Sequence, residues 1–223
     1  MPSGRALPMI SVLLCLACLA GVALVLVADR SGRRALEWVG KPLASAAFVL
    51  AALHWGALES SYGRWILLGL VLGAVGDLLL IPRERARLFL AGMNAFLLGH
   101  VAYVVAFAMP PLHGVGAAGA VLVMLVAGGA LARWLLPKTP EDFRLPVTSY
   151  LAVVGVMVVL AVSAVAAGAP WLIAAGAIGF ALSDVSVARD RFVQPGFVNR
   201  LWGLPLYFAS QMLIALSPAQ LAA

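Results

Sequence analysis

Long uncharged stretches of apolar residues alternate along the chain with short clusters of charged residues, proline and glycine. An apolar stretch of roughly 18 or more residues is long enough to cross a hydrocarbon core about 30 Å thick as a helix. With the charge clusters, prolines and glycines taken as boundaries, the pattern predicts eight transmembrane helices. The predicted helices cover residues 9–28, 36–55, 64–82, 86–108, 114–136, 147–167, 170–189 and 198–217.

The composition excludes a soluble fold. Of the 223 residues, 64% are hydrophobic and 11% are charged, and the mean hydropathy is +1.05. Soluble proteins carry about 25% charged residues, and this chain has too little polar surface to cover its apolar content. The connections between the predicted helices are too short for a separate soluble domain. The sequence therefore predicts an all-α integral membrane protein, a single polytopic domain over residues 1–223 with about eight transmembrane helices.

Basic residues are distributed unevenly between the two ends of the predicted helices. Twelve Lys and Arg residues lie at the end reached by the loops after helices 1, 3, 5 and 7, against Arg5 and Arg64 at the other end. The positive-inside rule makes the first end cytoplasmic and places both termini on the non-cytoplasmic side, which in a bacterium implies the inner membrane. Nucleic acid is not an expected partner, because the basic residues form no stripe with interleaved aromatics. The twelve are Arg30, Arg33, Arg34, Arg83, Arg85, Arg87, Arg133, Lys138, Arg144, Arg189, Arg191 and Arg200.

The first apolar stretch has an alternative interpretation as a secretory signal peptide, because Arg5 precedes it. The stretch is longer than the usual signal-peptide core of roughly 7 to 15 residues, and no small-x-small cleavage site comes before Asp29. An uncleaved helix is therefore favoured. Cys15 and Cys18 both lie inside it and are too few to form a disulfide framework.

Three ionisable residues fall inside the predicted spans, where each is a candidate functional residue because an unpaired charge in lipid is costly. Lys41, Asp77 and Asp184 each lie about five residues, roughly 7 to 8 Å, from a predicted cytoplasmic helix end. Two neighbouring carboxyl groups in such surroundings favour one protonated proton donor and one ionised group that stabilises positive charge or activates water. Lys41 or a hydrogen bond from Ser183 would hold the ionised group. Alternatively, Asp77 and Lys41 form an interhelical ion pair that locks the bundle, which does not exclude catalysis.

Other polar side chains in the predicted helices have a simpler default explanation, hydrogen bonding between helices. His100 and Tyr103 are three residues apart on one face of helix 4. His100 is interpreted as an interhelical hydrogen-bond partner or, alternatively, as a ligand or base. Tyr150, Tyr207 and Gln211 add polar groups to helices 6 and 8. No second His or Cys stands at metal-ligand spacing, so no metal site is expected.

Charged residues also follow predicted helix 7. Arg189, Asp190 and Arg191 are interpreted either as a solvated loop or as a site for a phospholipid headgroup near the membrane interface.

Small residues inside predicted helix 3 have a different role. Gly69, Gly73 and Gly76 predict close packing of helix 3 against a neighbour.

The two halves of the chain show a weak internal repeat. Lys41-Pro42 opens predicted helix 2 and Leu145-Pro146 opens predicted helix 6, while helices 3 and 7 carry Asp77 and Asp184 at similar depth. A duplicated four-helix unit is one hypothesis that explains this pattern.

Sequence motifs around these residues form a recognisable set. Lys41-Pro42-Leu43 opens helix 2, Gly76-Asp77 ends helix 3, and Pro146-Val147-x2-Tyr150 opens helix 6. Helix 4 carries Phe89-x2-Gly92-Met93-x-Ala95-Phe96-x3-His100-x2-Tyr103-x2-Ala106-Phe107. The last part contains Ser183-Asp184-x3-Ala188-x-Asp190-x-Phe192-x-Gln194-Pro195 and Tyr207-x3-Gln211-x-Leu213-Ile214-x-Leu216-Ser217. From about residue 36 to 217, this combination resembles the YhhN family of membrane lysoplasmalogenases.

The resemblance implies an eight-helix enzyme that hydrolyses the vinyl ether bond of lysoplasmalogens. The implied products are a fatty aldehyde and a glycerophospho-ethanolamine or glycerophospho-choline, and the family's two aspartates correspond to Asp77 and Asp184. The expected partners are a lysophospholipid substrate, water and membrane lipid, with no cofactor. The expected supporting or substrate-binding residues are Lys41, His100, Tyr103, Tyr150, Ser183, Asp190, Tyr207 and Gln211.

The chemistry of vinyl ethers agrees with a pair of carboxyl groups. Protonation of the terminal alkene carbon leaves an oxocarbenium ion, which needs a general acid and an anionic stabiliser as in glycoside hydrolysis. No serine-hydrolase motif is present. Either aspartate can be the acid on this reasoning. The alternatives are a proton-coupled transporter, with both aspartates as relay groups, and a lipid-binding membrane protein without catalysis.

Overall fold

The computed structural model describes residues 6–82 and 84–222, which form eight α-helices without a strand in that part of the chain. The predicted fold class and helix number are confirmed. Arg5 and Arg83 from the predicted charge asymmetry lie outside the described residues. The helices are α1 (Ala6–Ser31), α2 (Glu37–His54), α3 (Ser61–Leu79), α4 (Ala86–Phe107), α5 (Gly114–Leu135), α6 (Glu141–Ala166), α7 (Leu172–Phe192) and α8 (Phe197–Leu221).

Within the described residues, seven helices, α1 to α7, are long and apolar enough to cross a membrane. The eighth helix has 25 residues, so its length suffices, but it carries more polar groups. Several of them, including Asn199, Ser210 and Gln211, are buried inside the bundle. The neighbours of α8 are α1, α2, α3 and α7, so its polar side chains face protein rather than lipid. The orientation of the termini across the membrane stays a prediction.

Two helices contain a proline near their start. The start of α6 at residue 147 is wrong, because the helix begins at Glu141 and includes Pro146. Pro146 is the sixth residue of α6, as Pro42 is the sixth residue of α2. A proline so close to a helix start disturbs few backbone hydrogen bonds, and transmembrane helices tolerate it. The hypothesis of a duplicated unit stays a prediction.

The two aspartate-bearing helices end at different places from those predicted. Helix α7 continues to Phe192, so Arg189, Asp190 and Arg191 lie in its last turn and not in a loop. Helix α3 ends at Leu79, only two residues after Asp77. The predicted distance of about five residues from the helix end is therefore wrong for both aspartates, since Asp184 lies eight residues before Phe192.

Helices α3 and α4 pack closely through glycine. A Cβ atom added at Gly69 would lie 2.3 Å from the Tyr103 ring, and one added at Gly76 would lie 2.6 Å from the Phe96 ring. At Gly73 the added atom would lie 2.6 Å from Gln211 of α8. The predicted close packing of this helix face is confirmed, and it fixes the position of Asp77 within the bundle.

Helix α5 is packed far more loosely than α3. Of its residues, Ala120 and Leu135 alone are buried. Its main neighbour is α6, with a small contact to α7. This loose packing leaves a large space between α5, α6 and α7, which opens toward the two aspartates.

Candidate functional site

Asp77 is buried near the end of α3, with 3% of its surface exposed. The Ser45 hydroxyl of α2 donates a hydrogen bond to Asp77 Oδ2 at 2.7 Å, and the Tyr207 hydroxyl of α8 donates to the same oxygen at 2.9 Å. An oxygen that accepts from two donors has the surroundings of an ionised carboxylate. These two hydrogen bonds favour the ionised form of the side chain.

A chain of hydrogen bonds extends from Asp77 into the core. The Gln211 amide nitrogen donates to the Tyr207 hydroxyl oxygen at 3.3 Å, and the Tyr103 hydroxyl donates to the Gln211 amide oxygen at 2.9 Å. The chain links α3, α8 and α4, which confirms the predicted interhelical hydrogen bonding of Tyr207 and Gln211. It fixes the direction of the Tyr207 hydroxyl, which cannot donate to Gln211 while it donates to Asp77.

Lys41 lies beside Asp77, but the hydrogen bond it makes there involves the backbone. Its ammonium group, in a residue that is 7% exposed, donates to the Asp77 carbonyl oxygen at 3.4 Å. The expected proximity of Lys41 and Asp77 is thus present, with the carboxylate itself held by hydroxyl groups. Lys41 contributes a positive charge next to that carboxylate in a region of low dielectric constant.

Asp184 of α7 faces a histidine. Its Oδ2 atom lies 3.4 Å from Nε2 of His100, a residue that is fully buried on α4. Neither of these two atoms forms a hydrogen bond of good geometry within the described part of the chain. His100 Nδ1 lies 2.7 Å from the Phe96 carbonyl oxygen, which accepts hydrogen bonds but cannot donate one. The hydrogen of a neutral His100 therefore sits on Nδ1, and Nε2 presents a lone pair to Asp184.

The facing atoms of Asp184 and His100 restrict the protonation states that fit this geometry. If Asp184 were ionised and His100 neutral, two lone pairs would face each other at 3.4 Å. A protonated Asp184 beside neutral His100, or an ionised Asp184 beside a doubly protonated His100, removes that repulsion. Both favourable states contain the same number of protons. Either state would suit the facing positions of Asp184 Oδ2 and His100 Nε2.

Aromatic rings enclose His100. The centroid of its ring lies 4.3 Å from that of Phe180, 5.1 Å from that of Tyr150 and 6.4 Å from that of Tyr103. Tyr150 is thus brought to the pair, as expected for a supporting residue. The hydrogen bond predicted from Ser183 to an aspartate is wrong, because its hydroxyl donates to the Phe180 carbonyl oxygen of its own helix at 2.7 Å.

Asp190 connects helix ends through hydrogen bonds of its carboxylate. Its carboxylate accepts hydrogen bonds from the Gly196 amide at 2.8 Å, the Asn199 side chain at 3.1 Å and Arg200 at 2.9 Å. Arg200 also pairs with Asp29 at the end of α1. These contacts join α1, α7 and α8 at one end of the bundle. The polar groups of Asp190 are therefore occupied by helix connections, although the residue borders the cavity described next.

A cavity of about 1040 Å³ brings the two aspartates together. One end of it lies where α3, α5 and α7 end and α2, α4, α6 and α8 begin, and we call this the basic end. The remainder is lined mainly by apolar residues of α5, α6 and α7. The polar and charged residues that line the cavity are Lys41, Asp77, Tyr150, Ser183, Asp184, Ser186, Asp190, Arg191, Arg200 and Tyr207.

Some predicted site residues lie behind this lining. His100, Tyr103 and Gln211 are buried and reach the cavity through Asp184 and Tyr207. Among the described residues, no three His, Cys, Asp or Glu side chains form a group that could hold a metal ion.

Ser45 is the one partner of Asp77 that the sequence analysis did not identify. Its position, four residues after Lys41 and so on the same face of α2, was an available signal. Serine is common in transmembrane helices, however, and that spacing alone does not distinguish a functional hydroxyl.

Comparisons with known proteins are consistent with the sequence motifs. The YhhN family model matches residues 36–218. The chain is 34% identical over 161 residues to "Lysoplasmalogenase TMEM86A" of Bos taurus, a match that covers 70% of this chain and 65% of that relative. It is 35% identical over 169 residues to "Lysoplasmalogenase TMEM86B" of Homo sapiens, covering 75% and 70%. It is 32% identical over 179 residues to "Lysoplasmalogenase" of Mycobacterium tuberculosis, covering 77% and 66%. No solved structure matches the chain.

Proposed function

This chain belongs to the YhhN family, and from that premise we propose that it hydrolyses the vinyl ether bond of lysoplasmalogens. The proposed products are a fatty aldehyde and a glycerophospho-ethanolamine or glycerophospho-choline. The names of the curated relatives support the reaction class. The observation that carries the proposal is the position of Asp77 and Asp184 on the wall of one cavity, with cations at its basic end and apolar residues beyond.

The proposed reaction requires an acid first and a base afterwards. A proton adds to the alkene carbon that does not bear the ether oxygen, and the electrons of the double bond form the new C–H bond and leave an oxocarbenium ion. Water adds to this cation and loses a proton, which gives a hemiacetal. The hemiacetal hydroxyl then gives up its proton as the carbon–oxygen bond to glycerol breaks, the glycerol oxygen takes up a proton, and the aldehyde leaves. The protons balance, so two carboxyl groups are sufficient.

We assign the role of general acid to Asp184. Its Oδ2 atom faces Nε2 of His100 at 3.4 Å, and neither atom has another hydrogen-bond partner among the described residues. His100 keeps a proton on the pair before the substrate binds, because its loss leaves two lone pairs face to face. The same repulsion favours the return of a proton once water has attacked the cation. In this role His100 is a positioning residue, which acts through Asp184.

We assign the anionic role to Asp77. Ser45 and Tyr207 donate to one oxygen of its carboxylate, and such bonds stabilise the charged form. A fixed anion next to a developing oxocarbenium ion stabilises the transition state, and the same carboxylate can accept a proton from the attacking water. The positive charge of Lys41 offsets the negative charge of Asp77, which lowers the cost of burying that carboxylate.

The rest of the cavity suits a single-chain phospholipid. Lys41, Arg191 and Arg200 line its basic end, where a phosphate group would be attracted. The apolar walls would take the hydrocarbon chain, which would enter sideways from the membrane. On the predicted topology the basic end faces the cytoplasm, so the substrate would come from the cytoplasmic leaflet.

The test is aldehyde release from a synthetic 1-alkenyl lysophospholipid by the purified protein. Asp77→Asn and Asp184→Asn should each lower the rate by roughly 10²- to 10⁴-fold, the usual contribution of an acid or base group. Asp142→Asn is the matched control, since Asp142 is an exposed carboxylate in the first turn of α6. Unchanged hydrolysis in both cavity variants would refute the mechanism. Substrate binding by wild-type protein without any aldehyde would favour a lipid-binding protein instead.

A further inference from the structure

The cavity extends much farther than the reacting groups require. Along α6, its lining residues run from Tyr150, next to His100, to Val162 near the other end of that helix. Twelve residues of helix separate these positions, which corresponds to about 18 Å. The stretch between them is lined by valine and leucine on α6, so it offers only hydrocarbon contacts.

Contacts between α5 and α6 give the depth of each residue along this stretch. A Cβ added at Gly155 of α6 would lie 4.0 Å from the Met124 side chain, and one added at Gly116 would lie 2.7 Å from Ala166. The two helices are antiparallel neighbours, so Gly128 of α5 lies near the level of Tyr150. Gly119 lies nine residues earlier in α5, which places it about 14 Å farther from the basic end.

We propose that this apolar stretch binds the alkenyl chain of the lysophospholipid, and that its far end, which lies beyond Gly119 at Gly116 and Val115, sets the longest chain that fits. The proposal rests on the proposed function for the identity of the chain. Lys41, Arg191 and Arg200 at the basic end hold the polar part of the same molecule, so the chain must run from there past Asp184 toward Gly119.

The membrane setting explains why fit would control chain selection. A hydrocarbon chain that moves from lipid into an apolar cavity gains little from the hydrophobic effect, because lipid tails are as apolar as the cavity wall. Discrimination must then come from steric fit. Both Gly119 and Gly128 line the cavity, and a Cβ at either position meets no other atom within 4 Å. A larger side chain at these positions has room to be accommodated and would shorten the space available to the ligand.

The experiment uses Gly119→Leu, Gly128→Leu and a matched control, Gly129→Leu. Gly129 also has open space around its Cβ position, but it lines a separate shallow depression on the outer face of α5. Replacing glycine by leucine favours the helix, so all three variants should fold. The ligands are saturated 1-alkyl ether lysophospholipids with chains of 8 to 18 carbons, which cannot be hydrolysed as vinyl ethers. Their binding to protein in nanodiscs is measured by the shift in Tm.

Gly119→Leu should weaken binding of the longest chains by roughly tenfold or more, the loss expected of an overpacked site, and leave the shortest chains within about twofold. Gly128→Leu should weaken all chain lengths, and Gly129→Leu none. The same order should appear in aldehyde release from alkenyl substrates of matched length. A chain-length profile that is identical in Gly119→Leu and wild type would overturn the proposal.

The binding readout separates this proposal from the proposed reaction. Length-selective binding without aldehyde release would remove the hydrolase function and retain the chain site. Aldehyde release with an unaltered length profile would retain the hydrolase function and remove the chain site. Wild-type protein that binds none of the alkyl ligands would overturn the chain site directly.

Discussion

The two aspartates on the cavity wall differ in how the protein surrounds them. Asp77 is 3% exposed, and its Oδ2 accepts hydrogen bonds from Ser45 and Tyr207. Asp184 is only partly buried, and its Oδ2 lies 3.4 Å from a histidine nitrogen without a good hydrogen bond to any described residue. One carboxyl group faces donors, as an anion does. The other faces an acceptor, as a group that carries a proton does.

This difference shows how one residue type can supply both halves of an acid–base reaction. Identical side chains separate into acid and anion when their surroundings favour opposite protonation states. Here the surroundings are built by different helices, with α2 and α8 around Asp77 and α4 around Asp184. Each aspartate can therefore be perturbed without changing the immediate contacts of the other.

The largest effect that tests this comparison should come from His100. His100→Phe removes the acceptor of the shared proton and should lower kcat about 10²-fold, since a general acid without its positioning group loses most of its contribution. His100→Gln retains an amide oxygen that can accept from a protonated Asp184, so it should recover part of the rate. Rates equal to that of wild type in both variants would show that the imidazole only fills space. Their Tm values provide the check on folding.

A smaller effect is expected on stability, and it should separate the two aspartates. Asp77→Ala leaves the buried hydroxyl groups of Ser45 and Tyr207 without their acceptor, which should lower the free energy of unfolding by about 1–3 kcal/mol. Asp184→Ala removes an Oδ2 atom that has no hydrogen bond of good geometry to the described residues, and it should cost less. Denaturant titration in one detergent, with both variants compared to wild type, measures the difference. The assignment of Asp77 as the hydrogen-bonded anion would be lost if Asp184→Ala were the less stable variant.

The sequence identified the important side chains more reliably than their partners. Lys41, Asp77, Asp184 and His100 stand out because a polar group in a membrane span is costly and needs a reason to be there. Ser183 was assigned the wrong partner because a serine in a helix can satisfy its hydroxyl with a carbonyl of the preceding turn, as this one does. Sequence spacing carries no information about that choice.

Helix ends were predicted less well than helix number. Hydrophobic length defines a membrane span, but a helix can continue beyond the apolar stretch, as α6 does upstream of Pro146 and α7 does through Asp190. Depth counted from predicted ends therefore placed the two aspartates at the same level. In the structure, Asp77 lies two residues from its helix end and Asp184 eight residues from its own.

The smallest effect should come from the far end of the hydrogen-bond chain that leads to Asp77. Tyr103→Phe removes the donor to Gln211 and leaves the bond from Tyr207 to Asp77 in place. We expect a loss of about 1 kcal/mol in stability, because one buried acceptor becomes unsatisfied. The rate of aldehyde release should fall less than in His100→Phe, since Tyr103 acts on the anion through two intervening side chains. Tyr207→Phe is the informative comparison, because it removes a hydrogen bond of Asp77 itself and should therefore slow the reaction more. If Tyr103→Phe slowed the reaction as much as Tyr207→Phe, the chain would act as one unit and Gln211 would be the group that transmits the effect.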